Sequence, residues 1–473
     1  MSTNTASTMT IAGEAVAGEQ TFDVINPATG ASFAQAPECT REQLDEAFRA
    51  AEEAQRSWRT DESARRAALK AAAARLGESV DELASLLVAE QGKPLRDAKA
   101  EIKGVSYWLS YFADLELPRE IIQDDARAIV EVVRRPVGVV AAITPWNFPL
   151  LLAAWKIGPA LLAGNTVVIK PSPYTPLSTL AMVGIIAADL PAGVLGAVSG
   201  GDELGAWMTS HPIPRKVSFT GSVATGKHVA ASAAPDLKRV TLELGGNDAA
   251  IVLDDVDPGT VAAGLFAGAF SNAGQVCSAV KRVYVPERLY QPLLEALAAQ
   301  AGQVVVGDGM SPDTTMGPIN NRPQFDRVSE LTAAALADGA RAVAGGGPLD
   351  GDGYFFAPTI LDGALDGMRI VDEEQFGPVL PVIPYRDERD ALERANATSF
   401  GLSGSVWSED PDRAQALAEQ LECGTAWINT HLALAPHQPF GGMKWSGIGV
   451  ENGRWGLLGF TELQVVHRAK PRT

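Results

Sequence analysis

The sequence predicts an α/β fold with a doubly wound parallel sheet, followed by a second α/β region. Between residues 138 and 245, short and nearly continuous apolar runs rich in β-branched residues alternate with helical segments, a pattern typical of buried parallel strands. A second alternating region starts at AAIVL (249–253) and continues to about residue 445, interrupted by glycine and proline. The length of 473 residues exceeds what one hydrophobic core accommodates, so two or more domains are expected.

In chain order, residues 40–118 are predicted to be helical, because Thr40 and Gln43 form a capping box before apolar residues at helical spacing. Five strands follow: VGVVAAI, TVVIK, VLGAVS, KVSFT and RVTLEL. The segments LLLAAWKIGPALLAG and PLSTLAMVGIIAAD between them are predicted helices. Two further strand-like segments, 126–138 and 461–469, belong to neither alternating region.

The composition excludes several classes of protein. Thirty-nine basic and 57 acidic residues give a net charge of −18, which disfavours binding to nucleic acids and anionic membranes. The three cysteines are far apart, and the five histidines form no H-x-x-x-H pair, so neither a disulfide framework nor a metal site is expected. Proline and asparagine interrupt the longest apolar stretch, so no membrane segment is expected. No signal peptide is recognised, and the cytoplasm is therefore the expected location.

Cys277 is the candidate nucleophile. It ends the sequence N-A-G-Q-V-C (272–277), and a polar Gly-Gln turn is not typical of core packing. A thiolate is intrinsically nucleophilic. Cys39 and Cys423 lack such a setting and are interpreted as structural residues.

Two polar residues follow predicted strands at positions suited to catalysis. Glu243 lies near the end of RVTLEL, within LELGGN (242–247), and precedes two glycines, which let the backbone approach a ligand closely. Strand ends are where open α/β sheets bind ligands, so this carboxylate suits a general base on water or on the thiol. Asn147 in TPWNFP (144–149) offers an amide that can stabilise an oxyanion.

A phosphate site is predicted where KVSFT runs through Gly221 and Ser222 into a helix, because a helix N-terminus presents free N–H groups. Lys170, at the end of TVVIK, would meet a ribose or a phosphate. The sequence here is not the G-x-G-x-x-G fingerprint, so the local pattern is weak by itself.

Taken together, these motifs resemble those of the aldehyde dehydrogenase superfamily. NPATG (26–30), TPWNFP, KPSPYTP, FTGS, LELGGN, GQVC, EEQFGPV and PFGGMKWSG occur in the family's order over nearly the whole chain. The resemblance is closest to a bacterial subgroup of general aldehyde dehydrogenases. It implies a hydrolytic enzyme that uses NAD or NADP to oxidise an aldehyde to a carboxylic acid through a hemithioacetal and a thioester on Cys277.

The resemblance also implies a domain plan. It consists of a Rossmann-like doubly wound cofactor domain (1–117 and 139–245), a second α/β catalytic domain (246–445) and a small projecting β oligomerisation element (118–138 and 446–473). The implied partners are a small aldehyde and a second copy of the chain, as a homodimer or homotetramer.

The implied roles follow position by position. Cys277 is the nucleophile, Glu243 activates water, Asn147 and the Cys277 N–H hold the oxyanion, and Glu451 belongs to a proton relay. Lys170 and Glu374 would hold the two riboses, and Phe376 the nicotinamide riboside. The implied cofactor-binding positions are Thr144, Trp146, Lys170, Ser172, Gly201, Gly205, Phe219, Gly221, Ser222, Leu244, Glu374 and Phe376. The implied aldehyde tunnel consists of Phe148, Trp155, Leu432, Leu434 and Phe440.

Two features leave the specificity open. Pro173 stands where many members carry a glutamate that binds the ribose of NAD and repels the phosphate of NADP, so either or both cofactors are expected. The segment 430–440 has no arginine or lysine, which favours a neutral apolar or aromatic aldehyde over an acidic semialdehyde.

Three alternatives were weighed. A CoA-acylating semialdehyde dehydrogenase commonly lacks the glutamate that this chain has at Glu243. A thiol hydrolase would need a histidine near a recognisable motif, and none is found. A non-catalytic protein on the same scaffold would have lost Cys277 or Glu243.

Overall fold

The computed structural model describes residues 7–471. The strands in chain order are β1 (Met9–Ile11), β2 (Glu14–Val16), β3 (Gln20–Asn26), β4 (Ala31–Glu38), β5 (Glu120–Asp124), β6 (Ala128–Pro136), β7 (Val139–Ile143), β8 (Thr166–Lys170), β9 (Leu195–Ala197), β10 (Lys216–Thr220), β11 (Arg239–Glu243), β12 (Asp248–Val252), β13 (Val280–Pro286), β14 (Arg341–Ala344), β15 (Thr359–Asp362), β16 (Val379–Tyr385), β17 (Ser403–Trp407), β18 (Thr425–Ile428), β19 (Gly447–Ile448) and β20 (Thr461–Ala469).

The helices are α1 (Arg41–Trp58), α2 (Glu62–Glu78), α3 (Val80–Gln91), α4 (Leu95–Asp114), α5 (Pro149–Leu162), α6 (Leu177–Ala187), α7 (Asp202–Ser210), α8 (Val223–Ala233), α9 (Pro258–Phe270), α10 (Glu287–Ala301), α11 (Arg322–Ala337), α12 (Arg369–Asp372), α13 (Glu388–Asn396), α14 (Pro411–Ala418) and α15 (Gly453–Leu458). Four of them occupy the predicted helical region 40–118. The predicted capping box is present, because Gln43 N donates to Thr40 Oγ1 and Thr40 N donates to Gln43 Oε1.

The first sheet has eight strands in the order β19-β11-β10-β7-β8-β9-β1-β2. Its five central strands are parallel and correspond to the five predicted apolar runs. If these five strands are numbered 1 to 5 in chain order, they lie in the order 3-2-1-4-5 across the sheet, which is the arrangement of a Rossmann-like fold. The strand order reverses between β7 and β10. In open α/β sheets this switch point, at the carboxyl ends of the strands, is where ligands bind.

The second sheet has seven strands in the order β14-β15-β16-β13-β12-β17-β18. All are parallel to their neighbours except β14, which pairs antiparallel with β15. Helices cover both sheets, and the two alternating regions of the sequence therefore form the two α/β layers that were predicted. Within the described residues no helix is both long and apolar enough to cross a membrane.

A third sheet, β20-β6-β5, contains both strand-like segments that lie outside the two alternating regions of the sequence. They pair antiparallel over nine residues, from Thr461 opposite Pro136 to Ala469 opposite Ala128. The edge strands carry exposed apolar side chains, including Ile121, Leu463 and Val465.

Two details differ from the prediction. Residues 447–448 were grouped with the projecting element, but β19 pairs with β11 of the first sheet, because the chain passes beside the site before it turns outward. The N-terminal strands β1 to β4 were not predicted. They are short or largely exposed, so their sequences carry little apolar periodicity.

Candidate active site

A cavity of about 690 Å³ lies at the switch point of the first sheet. It is bounded by the ends of β7, β8 and β10 and by one face each of α7 and α8. Eight of the predicted cofactor positions line it: Thr144, Trp146, Lys170, Ser172, Gly205, Phe219, Gly221 and Ser222. Gly201 does not line it but is the N-cap of α7, whose residues Asp202 and Gly205 do.

The polar groups of this cavity suit a phosphorylated ligand. Ser222 caps α8, its Oγ accepting from Thr225 N at 3.2 Å, so a helix N-terminus faces the space. Lys170 is buried, which lowers its pKa to about 8, and its Nζ donates to Pro171 O at 3.2 Å. Thr144 Oγ1 is buried and has no hydrogen-bond partner among the described residues.

Sequence reasoning missed Tyr174, Asp202, Thr209 and His228, which also line this cavity. Tyr174 lies in the turn of the KPSPYTP motif, and the other three lie on helix faces without a recognisable motif, where only the fold brings them to the site.

A second cavity of about 550 Å³ shares Trp146, Gly221 and Ser222 with the first and extends to Cys277. Three more predicted cofactor positions line it: Leu244, Glu374 and Phe376. The rings of Trp146 and Phe376 meet edge to face, with centroids 5.2 Å apart, and narrow the passage.

The two glycines of LELGGN also allow close approaches within the protein. A Cβ on Gly245 would lie 2.2 Å from Glu374 Oε2, and one on Gly246 would lie 2.6 Å from Cys277 O. Gly246 N also donates to Glu374 Oε1 at 3.1 Å. The two glycines therefore let the backbone pass close to other parts of the protein and hold Glu374 and the Cys277 segment in place.

The loop before Cys277 has a strained backbone conformation. Asn272, Ala273 and Gly274 have φ angles of 51°, 56° and 72°, and the first two are unusual for residues with a side chain. A Cβ on Gly274 would lie 2.2 Å from Gly377 O, so only glycine fits there. Strain of this kind persists where the surroundings fix the backbone, as at ligand clamps and active sites.

Beneath the loop, Lys281 Nζ donates to the carbonyl oxygens of Val276, Cys277 and Ala279 at 2.6, 3.3 and 3.3 Å. Burial raises the pKa of the Cys277 thiol to about 12, and the charge of Lys281 opposes this shift. Lys281 was not predicted, although a lysine at the start of an apolar strand was a visible signal.

A third cavity of about 260 Å³ starts at Cys277 and forms a narrow tunnel. All five predicted tunnel residues line it, and the lining within residues 7–471 includes no arginine or lysine. Trp155 lies between Trp108 and Phe440, with ring centroids 6.1 and 5.5 Å away. Trp108, Leu151, Leu152 and Val276 complete the apolar wall and were not predicted.

Glu243 lies in this tunnel at the end of β11. Its side chain is buried, and neither carboxylate oxygen has a hydrogen-bond partner among the described residues. Burial raises its pKa well above the ordinary value, the neighbouring Glu451 raises it further, and Lys156 opposes the shift.

Glu451 also lines the tunnel and forms a buried ion pair with Lys156, Oε1 to Nζ at 2.5 Å. Ser218 Oγ donates to the same oxygen at 3.2 Å, and Lys156 Nζ contacts Thr220 Oγ1 at 2.8 Å. Glu451 Oε2 has no partner among the described residues. Lys156 was not predicted, although a lysine within the apolar run AAWKIGPALL is a visible signal in the sequence.

Asn147 joins the two halves of the site. Its Nδ2 donates to Gln275 O at 2.9 Å, and its backbone oxygen accepts from Asn272 Nδ2 at 3.1 Å. The amide therefore lies beside the nucleophile loop and lines both the second cavity and the tunnel.

Cys39 and Cys423 line none of the three connected cavities, and burial raises the pKa of each thiol to about 12.

Residues 15–466 match the model of the aldehyde dehydrogenase family. The chain is 39% identical to a succinate-semialdehyde dehydrogenase [NADP(+)] of Escherichia coli K12, over 94% of both chains. It is also 39% identical to a phenylacetaldehyde dehydrogenase of Pseudomonas fluorescens, over 94% of this chain and 91% of that one. A Staphylococcus aureus betaine aldehyde dehydrogenase solved with NAD⁺ superposes with a TM-score of 0.95 at 34% identity, covering 99% of this chain and 96% of the other.

Proposed function

The chain belongs to the aldehyde dehydrogenase family, and from this premise we propose that it oxidises a neutral apolar or aromatic aldehyde through a thioester on Cys277. Oxidation of aldehydes with NAD or NADP is the activity that the family assignment carries. The site residues, the chemical steps and the substrate are the proposal. The observation that carries it is the single path of three cavities from Lys170 past Cys277 to Phe440.

The first two cavities suit a nicotinamide dinucleotide. The unpartnered Thr144 Oγ1, the α8 N-terminus and the buried Lys170 supply polar groups for phosphates and riboses. Glu374 and Phe376 line the second cavity together with Cys277, which suits them to bind the second ribose and the nicotinamide riboside. The bound nicotinamide would supply the hydride acceptor.

In the first step, the Cys277 thiolate adds to the aldehyde carbon and gives a hemithioacetal oxyanion. Asn147 Nδ2 has a second N–H beyond the one that it donates to Gln275 O, and with the Cys277 N–H it would hold this oxyanion. The buried thiol has a pKa of about 12, so its proton needs an acceptor, and neither carboxylate oxygen of Glu243 has a hydrogen-bond partner within residues 7–471. Loss of hydride from the same carbon leaves the thioester.

In the second step, Glu243 takes a proton from water, and the resulting hydroxide cleaves the thioester to release the acid and the Cys277 thiol. A raised pKa suits this task, because a general base works best when its pKa is near the working pH. Glu451, with its free Oε2 and its link through Lys156 to Thr220, suits a relay that carries the proton away from Glu243.

The substrate class rests on the tunnel rather than on overall similarity. Relatives at the same 39% identity are named for an acidic semialdehyde and for an aromatic aldehyde, so identity does not decide between them. In the part of the chain that the structure describes, the tunnel is lined by Phe148, Trp155 and Phe440 and by no basic side chain. A carboxylate would be desolvated there without a partner. A flat or branched apolar group would pack against these rings.

We also propose that the chain forms a homodimer, or a tetramer of dimers, through the sheet β20-β6-β5. Its edge strands expose Ile121, Leu463 and Val465, and a symmetric partner would cover an edge that otherwise favours aggregation.

The test is a panel of aldehydes assayed with NAD and with NADP by the absorbance of the reduced nicotinamide. We expect phenylacetaldehyde and medium-chain aliphatic aldehydes to have a higher kcat/KM than succinate semialdehyde. The product must be the free acid in the absence of coenzyme A. Turnover that requires coenzyme A would point to the acylating alternative, and a preference for succinate semialdehyde would refute the proposed substrate class.

A further inference from the structure

A buried ion pair lies behind the segment that carries Asn147. Lys93, between α3 and α4, donates from Nζ to Glu101 Oε2 on α4 at 2.6 Å, and both side chains are 1% exposed. Neither residue lines any of the three cavities of the site. The pair therefore does not contact the space proposed for substrate or cofactor, and it needs another explanation, because burying two charges is costly.

The pair binds the main chain on both sides of Phe148. Lys93 Nζ also donates to Asn147 O at 2.9 Å and lies 3.9 Å from the centre of the Phe148 ring. Glu101 Oε1 accepts from Leu150 N and Leu151 N at 3.0 and 3.1 Å. Phe148, the N-cap of α5, offers no side-chain cap, so Glu101 provides from another helix the acceptor that α5 lacks.

We propose that Lys93 and Glu101 are positioning residues that set the Asn147 amide at the distance from Cys277 that oxyanion binding requires. Lys93 Nζ and Asn272 Nδ2 both donate to the Asn147 backbone oxygen, and the Gln275 backbone oxygen accepts from the Asn147 side-chain amide. The proposal rests on the oxyanion role proposed above for Asn147. A displaced donor loses rate, because it must point at the place where the charge develops.

The chain contains a matched control for the structural cost of this arrangement. Glu90 is also buried on α3 and accepts from Leu177 N and Ser178 N, at 2.7 and 2.9 Å, at the start of α6. The residues of α6 line none of the three cavities. Glu90→Gln therefore disturbs a carboxylate that caps a helix without touching the Asn147 segment.

The experiment is a double-mutant cycle on the rate of reduced-nicotinamide formation in the first turnover, at saturating aldehyde and NAD. Glu101→Gln should slow this step by about tenfold to a hundredfold, because its amide N–H₂ faces the Lys93 ammonium and displaces it from Asn147 O. Asn147→Ala should slow it by about 10²–10³-fold. In the Asn147→Ala background, Glu101→Gln should change the rate by less than about twofold, because the donor that it positions is already absent.

Glu90→Gln should lower the melting temperature but leave the first-turnover rate within about twofold of that of the parent protein. Lys93→Met, which removes the donor to Asn147 O, gives a second cycle if Glu101→Gln does not fold. Equal slowing by Glu101→Gln in both backgrounds, or no slowing in a folded variant, would overturn the positioning role. An Asn147→Ala protein with the parent rate would instead refute the proposed oxyanion role.

Discussion

The two buried lysine–glutamate pairs that contact α5 differ in how completely their polar atoms are bonded. Both oxygens of Glu101 have partners, in Lys93 and in the Leu150 and Leu151 N–H groups. In the other pair, Glu451 Oε2 has no partner among the described residues, and neither has either oxygen of the adjacent Glu243. A completed network fixes the backbone, whereas an incomplete one leaves acceptors for water or substrate. This contrast distinguishes the part of the site that holds its shape from the part proposed to do chemistry.

The largest expected effect comes from removing the nucleophile and leaving both pairs intact. Cys277→Ala should abolish dehydrogenase turnover, because no covalent intermediate can form, while NAD binding measured by fluorescence should stay near that of the parent. Cys39→Ala and Cys423→Ala are the matched controls and should remain active. Substantial turnover by the Cys277 variant would sink the thioester mechanism.

The next largest effect on turnover is expected from removing the Glu243 carboxylate. Glu243→Gln cannot activate water, so a burst of reduced nicotinamide should be followed by a steady rate slowed by about 10²–10⁴-fold. Stopped-flow absorbance measures both phases, and mass spectrometry should detect the acyl adduct on Cys277. If the burst itself disappears, Glu243 is also needed to deprotonate the thiol. A steady rate equal to that of the parent would remove Glu243 from the role of base.

The same contrast predicts a pH dependence. The pKa of Glu243 is raised well above its ordinary value, so its working, ionised form is lost as the pH falls through that raised pKa. The steady rate of the parent should therefore rise as the pH increases through that raised pKa, as long as deacylation limits turnover. Glu243→Gln has no such carboxyl, so its residual rate should lack this rise, and a parallel rise in the variant would assign it to another group.

The sequence predicted the residues that lie in local motifs but not the contacts between residues that are far apart along the chain. Cys277, Glu243 and Asn147 lie in short local motifs, so these motifs and their resemblance to those of aldehyde dehydrogenases were enough to propose them. The partners Lys156 and Glu451 are 295 residues apart, and Lys93 meets Asn147 across 54 residues. A lysine within an apolar helix was visible in the sequence, but its partner was not, because that contact depends on how α5 packs against the sheet. The five parallel strands were predictable for the opposite reason, since each is a local run of buried β-branched residues.

A smaller effect on turnover is expected from a substitution in the sheet β20-β6-β5, which contains no residue of the two buried lysine–glutamate pairs. Val465→Asp puts a charge on an exposed apolar edge strand and should shift the protein from a dimer or tetramer towards the monomer, as measured by light scattering at micromolar concentration. Leu237→Asp is the control, because Leu237 is 79% exposed in a turn outside that sheet. A parent protein that is already a stable monomer would contradict the proposed assembly.

The smallest expected effect concerns cofactor choice. Pro173 lines the first cavity with Lys170 and Ser172, so the position that often carries a ribose-binding carboxylate has none here. Lys170 remains as a point charge for a 2′-phosphate, and the parent enzyme should use NAD and NADP with a modest preference of either sign. Pro173→Glu should shift the ratio of kcat/KM towards NAD by about tenfold at low salt, chiefly by weakening NADP, because like charges at short range repel.

Pro173→Gln is the matched control, because it has nearly the same size without the charge and should leave the ratio close to that of the parent. The shift with glutamate should shrink as salt rises, since screening weakens exposed charge pairs. If the parent already rejects NADP and Pro173→Glu changes nothing, the choice is made elsewhere. The carboxylate of Asp202 lines the same cavity as Lys170, and Asp202→Asn would then be expected to admit NADP.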